Sequence, residues 1–212
     1  MRAFVASVML AAAIMFGLDL ALERAAEGRA SAQVSQLLGA PTTVDLQGWP
    51  VSLRLLSGAA STVEVHAENV PTGSGVRLRQ VNATIRDVRL RLGDLSASRL
   101  PVDVPPGTFI ADLDAEAVRQ LLGEFARAGP VRLASGLVLL LTPSARIEAR
   151  VDAGRGTLVL TPVTASPQMP SPVEIPLPRL PAGTTVQRIS VLDGALRLEG
   201  IFDPKTLLQT AP

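Results

Sequence analysis

The chain contains no cysteine and no tyrosine, a single histidine, and one lysine, Lys205, beside nineteen arginines. Without cysteine there is neither a disulfide nor a lipoprotein acylation site, a composition compatible with an oxidising compartment. With one histidine and neither cysteine nor tyrosine, an enzyme has little to work with. His66 falls on the polar parity of a strand, no Gly-x-Ser-x-Gly elbow occurs, and a Ser-His-Asp triad would have to be assembled on His66 from distant residues. No catalytic residue, metal site or cofactor is therefore expected. Asp112-Leu113-Asp114-Ala115-Glu116 offers oxygen ligands, but a strand end followed by a helix cap accounts for it better. Gly73-Ser74-Gly75 and Gly154-Arg155-Gly156 lack the strand-to-helix setting of nucleotide loops and read as turns. A net charge of +1 exerts no general pull on nucleic acid. The excess of arginine over lysine reads first as a GC-rich coding bias that would also enrich alanine, glycine and proline, and second as a preference for phosphate-binding guanidinium groups.

What is present begins at the N-terminus. After Arg2, the stretch Ala3–Leu22 carries one charge, Asp19, and is long enough to be exported or to span a bilayer as helix. Ala26-Glu27-Gly28 and Ala30-Ser31-Ala32 are weak cleavage sites. Leu18, Leu22, Ala26, Ala30, Val34, Leu37 and Leu38 recur at helical spacing, which favours an uncleaved anchor running on into an amphipathic helix that ends near Leu38. The bias of positive charge toward the cytoplasm places the body on the extracytoplasmic side of the cytoplasmic membrane, or makes it secreted or periplasmic if the segment is removed. Residues 23–212 suffice for one domain.

That body is rich in strands. Thr62–Ala67 alternates apolar and polar, and from Val76 to Leu92 the alternation twice changes phase, which predicts two bulges or a bent strand. A helix is predicted over Asp114–Arg127, capped by Asp114, with Val118, Leu121, Leu122 and Phe125 as its apolar stripe, and Gly129-Pro130 ends it. Strands follow at Val131–Leu133, Leu137–Leu141, Arg146–Asp152 and Thr157–Thr161. The seven prolines of Pro162–Pro181 predict extended chain at a sheet edge. Two last strands meet at Asp193-Gly194, a type I′ hairpin signal. The fold class is α+β: a long, bent antiparallel sheet with few helices to cover its apolar face. Leu137–Leu141 is apolar on both parities, so it is either covered on both faces or presents one to a ligand.

An anchor helix, then Gly48-Trp49-Pro50-Val51-Ser52-Leu53-Arg54-Leu55-Leu56-Ser57-Gly58, a strand like Val63–Ala67, the strand Val88–Leu92, Ile175–Pro181, Ile189-Ser190-Val191 and Asp193–Gly200 occur in this order. The series resembles the LmeA-like phospholipid-binding family of bacterial cell-envelope proteins, with Trp49 where phenylalanine is usual and a more apolar Val131–Pro143. The resemblance implies a non-enzymatic, membrane-associated phospholipid binder. It also implies half of a tubular lipid-binding module, a long curved sheet wrapped around one long helix plus a second short one, with acyl chains between them. On that expectation the acyl-chain candidates are Trp49, Val51, Leu53, Leu55 and Leu56, with Phe109. The helix residues Leu121, Leu122 and Phe125 and the strand residues Leu137, Leu139 and Leu141 complete the set. Arg77, Arg79, Arg89 and Arg91 are the head-group candidates, and a solvated outer face is the plainer reading of them. The rival function is an envelope assembly module that binds a protein partner, or a second copy, through a sheet edge or the proline-rich segment.

Overall fold

In a computed structural model the protein is described at residues 27–28, 31–32, 34–36, 38–47, 60–72, 74–89, 104–126, 129–142, 145–164, 169–178, 180 and 183–209. Eleven strands among these form two antiparallel sheets in place of the one expected. Sheet A contains β1 (Thr42–Gln47), β2 (Ala60–Pro71), β3 (Arg77–Arg89), β4 (Gly107–Leu113), β10 (Thr184–Leu192) and β11 (Ala195–Phe202), in the order β1-β2-β3-β4-β11-β10. Sheet B is a meander of β5 (Val131–Ala134), β6 (Leu137–Leu141), β7 (Arg146–Ala153), β8 (Thr157–Pro162) and β9 (Val173–Pro176). It is an insertion between β4 and the β10–β11 hairpin, which returns to pair with β4. Alternation along one strand gives its faces but not its neighbours, so the break into two sheets was invisible in the pattern.

Each sheet turns one apolar face inward. In sheet A the registers align Val63, Ile85 and Val65, Ala83, Phe109, Gly200 and Ala67, Val81, Ala111, Leu198 across neighbouring strands. In sheet B they align Leu133, Val138, Ala149 and Val131, Leu140, Ile147. Helix α1 (Ala115–Leu122) touches β4 and β11 of one sheet and β5 and β9 of the other, and its buried Ala117, Val118 and Leu122 join both faces into a single core. Leu113, Leu160, Leu196 and Leu198 are fully buried there. Each such side chain contributes about 1.5–3 kcal/mol. Two cross-strand pairs, Phe109 with Gly200 and Phe202 with Gly107, let each aromatic ring lie over the glycine opposite. A Cβ at Gly200 would meet the Phe109 ring at 2.7 Å and collide with the Thr185 carbonyl oxygen, so the absence of a side chain is what admits the ring.

Of the two phase changes predicted in Val76–Leu92, one coincides with a shift in the register of β2 and β3. Ser61 pairs with Val88 and Val63 with Ile85, so β3 carries one extra residue, and Asp87 there takes a left-handed φ of 60°. Val88 thereby returns to the inner face, 3% exposed. At the other, Ala67 and Val70 of β2 and Leu78 of β3 are buried and Asn69 takes φ 55°, while the pairing of the two strands continues without a shift.

Three expectations are corrected. No long helix is seen among the described residues; helical positions occur between Glu27 and Leu38, and α1 and α2 (Pro204–Gln209) are short. The helix predicted to reach Arg127 keeps its cap, Asp114 accepting from Ala117 N at 2.8 Å, but Gly123 at φ 53° ends it and a 3₁₀ turn, Gly123–Ala126, follows. The type I′ geometry lies elsewhere: Ser135-Gly136, with φ of 54° and 77°, joins β5 to β6, whereas at Asp193-Gly194 only the glycine has positive φ. Asp193 is held by another interaction, its carboxylate accepting from Ser135 N at 3.0 Å while Gly194 N donates to Leu133 O at 2.8 Å. These two bonds tie the hairpin of sheet A to that of sheet B. The proline-rich stretch does supply an edge strand, β9, and before it Met169 is tucked into the core at 1% exposure.

Among the described residues no helix is long and apolar enough to cross a membrane. The expected anchor, residues 1–22, lies outside the described residues.

Candidate functional site

The inner face of sheet A is covered unevenly. Toward α1 and sheet B it is closed, with Phe109 at 7%, Ala111 at 1% and Leu113 fully buried. On β1 it is closed again by Val44, 3% exposed. Between them, Val63 and Val65 of β2 and Val81, Ala83 and Ile85 of β3 are only half-buried. Ala67 and Leu78 close this row at one end and Val88 at the other. The result is an aliphatic strip two strands wide that runs along the strand direction, with buried residues described beside it on β1 and β4 and at its ends. From Val81 to Ile85 it extends roughly 13 Å, at about 3.3 Å per residue. Its described side chains, all aliphatic, carry no polar atom that could orient a reacting group.

The outer face of the same strands is polar and internally paired. His66 Nδ1 lies 2.6 Å from Asn82 Oδ1 and its Nε2 lies 3.5 Å from Glu68 Oε1, with the side chain 40% exposed. The Asn82 contact, and then Glu68 and Asp45, hold the imidazole pKa above its ordinary 6.5 against the opposing effect of burial. Arg197 donates two bonds to Asp112, at 2.8 and 2.9 Å, and Glu116 is salt-bridged to Arg119 at 2.6 Å. The three acids of the Asp112–Glu116 segment are thus engaged with a neighbouring strand, a helix cap and a helix partner respectively.

The expected site residues scatter. Phe109 and Leu122 are in the core, Leu121 packs partly against it, and Phe125, carried past Gly123 by the 3₁₀ turn, is 48% exposed. Leu137, Leu139 and Leu141 lie on the face of β6 opposite to Val138 and Leu140; Leu139 is buried and its two neighbours are half-buried. Arg77 and Arg79 are exposed near the start of β3, and Arg77 donates to Asn69 O at 3.3 Å. Arg89 ends the same strand, up to about 40 Å from Arg77. Trp49, Val51, Leu53, Leu55, Leu56 and Arg91 lie outside the described residues. The half-open strip was legible only as the apolar parity of two strands. Its selection from the other apolar parities depends on the pairing of β2 with β3 and on what covers β1 and β4.

No curated protein and no solved structure matches this chain. A family model does, over residues 17–201, a span that takes in both sheets, α1 and the aliphatic strip. Since that match covers most of the sequence, the chain belongs to the LmeA-like phospholipid-binding family.

Proposed function

We propose that the protein is a non-enzymatic phospholipid binder of the bacterial envelope, tethered by its N-terminal segment on the outer side of the cytoplasmic membrane, and that it lays an acyl chain along the inner face of sheet A. The observation that carries this reading is the strip Val63, Val65, Val81, Ala83 and Ile85, half-buried between the buried Val44 of β1 and the buried Phe109 and Ala111 of β4. Each methylene transferred from water onto such a surface contributes about 0.8 kcal/mol, and no polar partner is required of the protein along its length. The family supports phospholipid as the ligand. Transfer of the lipid between membranes, as distinct from holding it, is the further step that the tether and the open strip together favour.

Strand addition by a protein partner finds less support. The β1 edge of sheet A has backbone donors already used by serine side chains, and the β10 edge packs on β7 and β5. The test is reconstitution of the full chain with vesicles that contain a phospholipid photoactivatable along its acyl chain. Crosslinks are expected on the peptides that carry Val63–Ala67 and Val81–Ile85. Labelling confined to other surfaces, or none, would overturn the assignment.

A further inference from the structure

An antiparallel sheet packed on a core through one face normally shows polar side chains on the other. Strand β6 of sheet B departs from this. Val138 and Leu140 fill the core, yet the opposite face carries Leu137, Leu139 and Leu141, and the strip on sheet A makes no use of them. The registers define their surroundings. Arg132 of β5 and Glu148 of β7 flank Leu139 on either side, Arg146 of β7 stands opposite Leu141, and Arg150 follows Glu148 on the same face. Val163, just past β8, donates its amide to Glu148 O at 2.8 Å, continues the row of Leu139 and is exposed.

Arg132, Arg146 and Arg150 are exposed, so the face is open to solvent around the leucines. Leu139 lies between two long side chains whose stems cover apolar neighbours while their charged heads stay in water. Glu148 is committed to Arg146 at 2.9 Å, whereas Arg132 and Arg150 have no acidic partner within ion-pair distance among the described residues. Asp152 and Glu174 share the face but sit in the row of Val159, beyond Arg150 toward the turn between β7 and β8. The face therefore has an aliphatic, cationic end and an acidic end. Arginine standing over leucine suits an anionic bilayer: guanidinium heads take phosphate oxygens, and the leucines and arginine stems enter the boundary between head groups and acyl chains. Repulsion of Asp152 and Glu174 from the same surface would fix which end approaches it. We propose that the leucine and arginine end of the outer face of sheet B docks on an anionic phospholipid bilayer, with Arg132 and Arg150 on head-group phosphates. This contact is separate from the strip, since sheet A meets a single acyl chain and sheet B the membrane surface. The tether proposed above keeps that surface within reach.

The protein has no cysteine, so one introduced thiol carries a fluorophore to a chosen place. Full-length Val163→Cys labels the docking face, and Ile201→Cys labels an exposed position on the outer face of sheet A. Each is reconstituted in vesicles of phosphatidylcholine, alone or mixed with phosphatidylglycerol, that contain a lipid with a nitroxide quencher just below the head group. Strong quenching is expected only for the label at position 163 and only with phosphatidylglycerol. A cation brought to an anionic surface strengthens the contact about fivefold, so Arg132→Gln/Arg150→Gln should lower the ratio of docked to undocked protein about 25-fold. Arg132→Lys/Arg150→Lys, which keeps both charges, should stay within about threefold of wild type. Equal quenching at positions 163 and 201, no response to phosphatidylglycerol, or full quenching in the glutamine pair would each overturn the docking face. Acyl-chain crosslinking to β2 and β3 in the same vesicles reports the strip independently, so failure of one contact is told from failure of the other.

Discussion

His66 is the only side chain in the protein whose ordinary pKa lies near neutrality, and its surroundings give that titration a consequence. Both ring nitrogens face oxygen, Asn82 Oδ1 on β3 and Glu68 Oε1 on β2, so the doubly protonated ring can donate on both sides and bridge the two strands that carry the aliphatic strip. The folded-state pKa is raised, chiefly by the Asn82 contact. A group of this kind stabilises the fold fully below its unfolded pKa, and that contribution is lost as pH rises through the folded value. Urea midpoints for wild type and His66→Gln should therefore differ most near pH 6 and converge toward about pH 8. The partial exposure of the ring keeps the difference small, and added salt should reduce it further. A difference that is constant with pH, or that grows as pH rises, would show that the ring acts through packing alone.

Among the elements, the bent β2–β3 pair shows how far a pattern of residues can be followed. The phase change from Ile85 to Val88 demanded an extra residue, and the structure places it at Asp87, in the left-handed region where aspartate is tolerated and a β-branched residue is not. Asp87→Val should cost about 1–2 kcal/mol in chemical denaturation and Asp87→Gly should stay within about 0.5 kcal/mol of wild type; equal losses would place the bulge at another residue. The cap at Asp114 and the edge strand among the prolines were legible for the same reason, since each depends on residues close in sequence. What could not be read depends on distant partners. Asp193-Gly194 carries a strong local signal for a type I′ turn, yet its aspartate is committed to Ser135 of the other sheet. Phe125 continues the apolar stripe of α1 in sequence but not in space, because Gly123 ends the α-helical geometry two residues before it. Ser31 and Ser35 give no signal in the sequence, because the groups they accept from are the Val44 and Thr42 backbone amides of a strand, which no side-chain pattern records.

At the scale of the whole molecule, two sheets and a short helix enclose a single core, and the strip on β2 and β3 is a part of the inner face that is half-buried at its margin. Whether that strip is a ligand surface or only the margin of the core is decided by comparing how stability and binding respond to the same substitution. Ala83 sits at its centre, between Val65 on β2 and Phe109 on β4. A phenylalanine there would fill the strip with apolar volume and leave no polar group unsatisfied. In a closed core such overpacking costs about 1–3 kcal/mol. Over a half-open strip the added ring has room, and Ala83→Phe should unfold within about 1 kcal/mol of wild type while acyl-chain crosslinking to β2 and β3 falls at least about fivefold. Leu198→Ala supplies the opposite case. Leu198 is fully buried on β11, one strand beyond β4, and its truncation should cost about 2–5 kcal/mol without changing crosslinking measured well below the unfolding transition. A loss of stability in Ala83→Phe as large as in Leu198→Ala, with crosslinking unaltered, would assign Ala83 to the core and move the lipid to another surface. The separation of the two effects is expected because Leu198 and Ala83 share one face of sheet A but differ in burial, Leu198 being fully buried on β11 and Ala83 half-buried on β3.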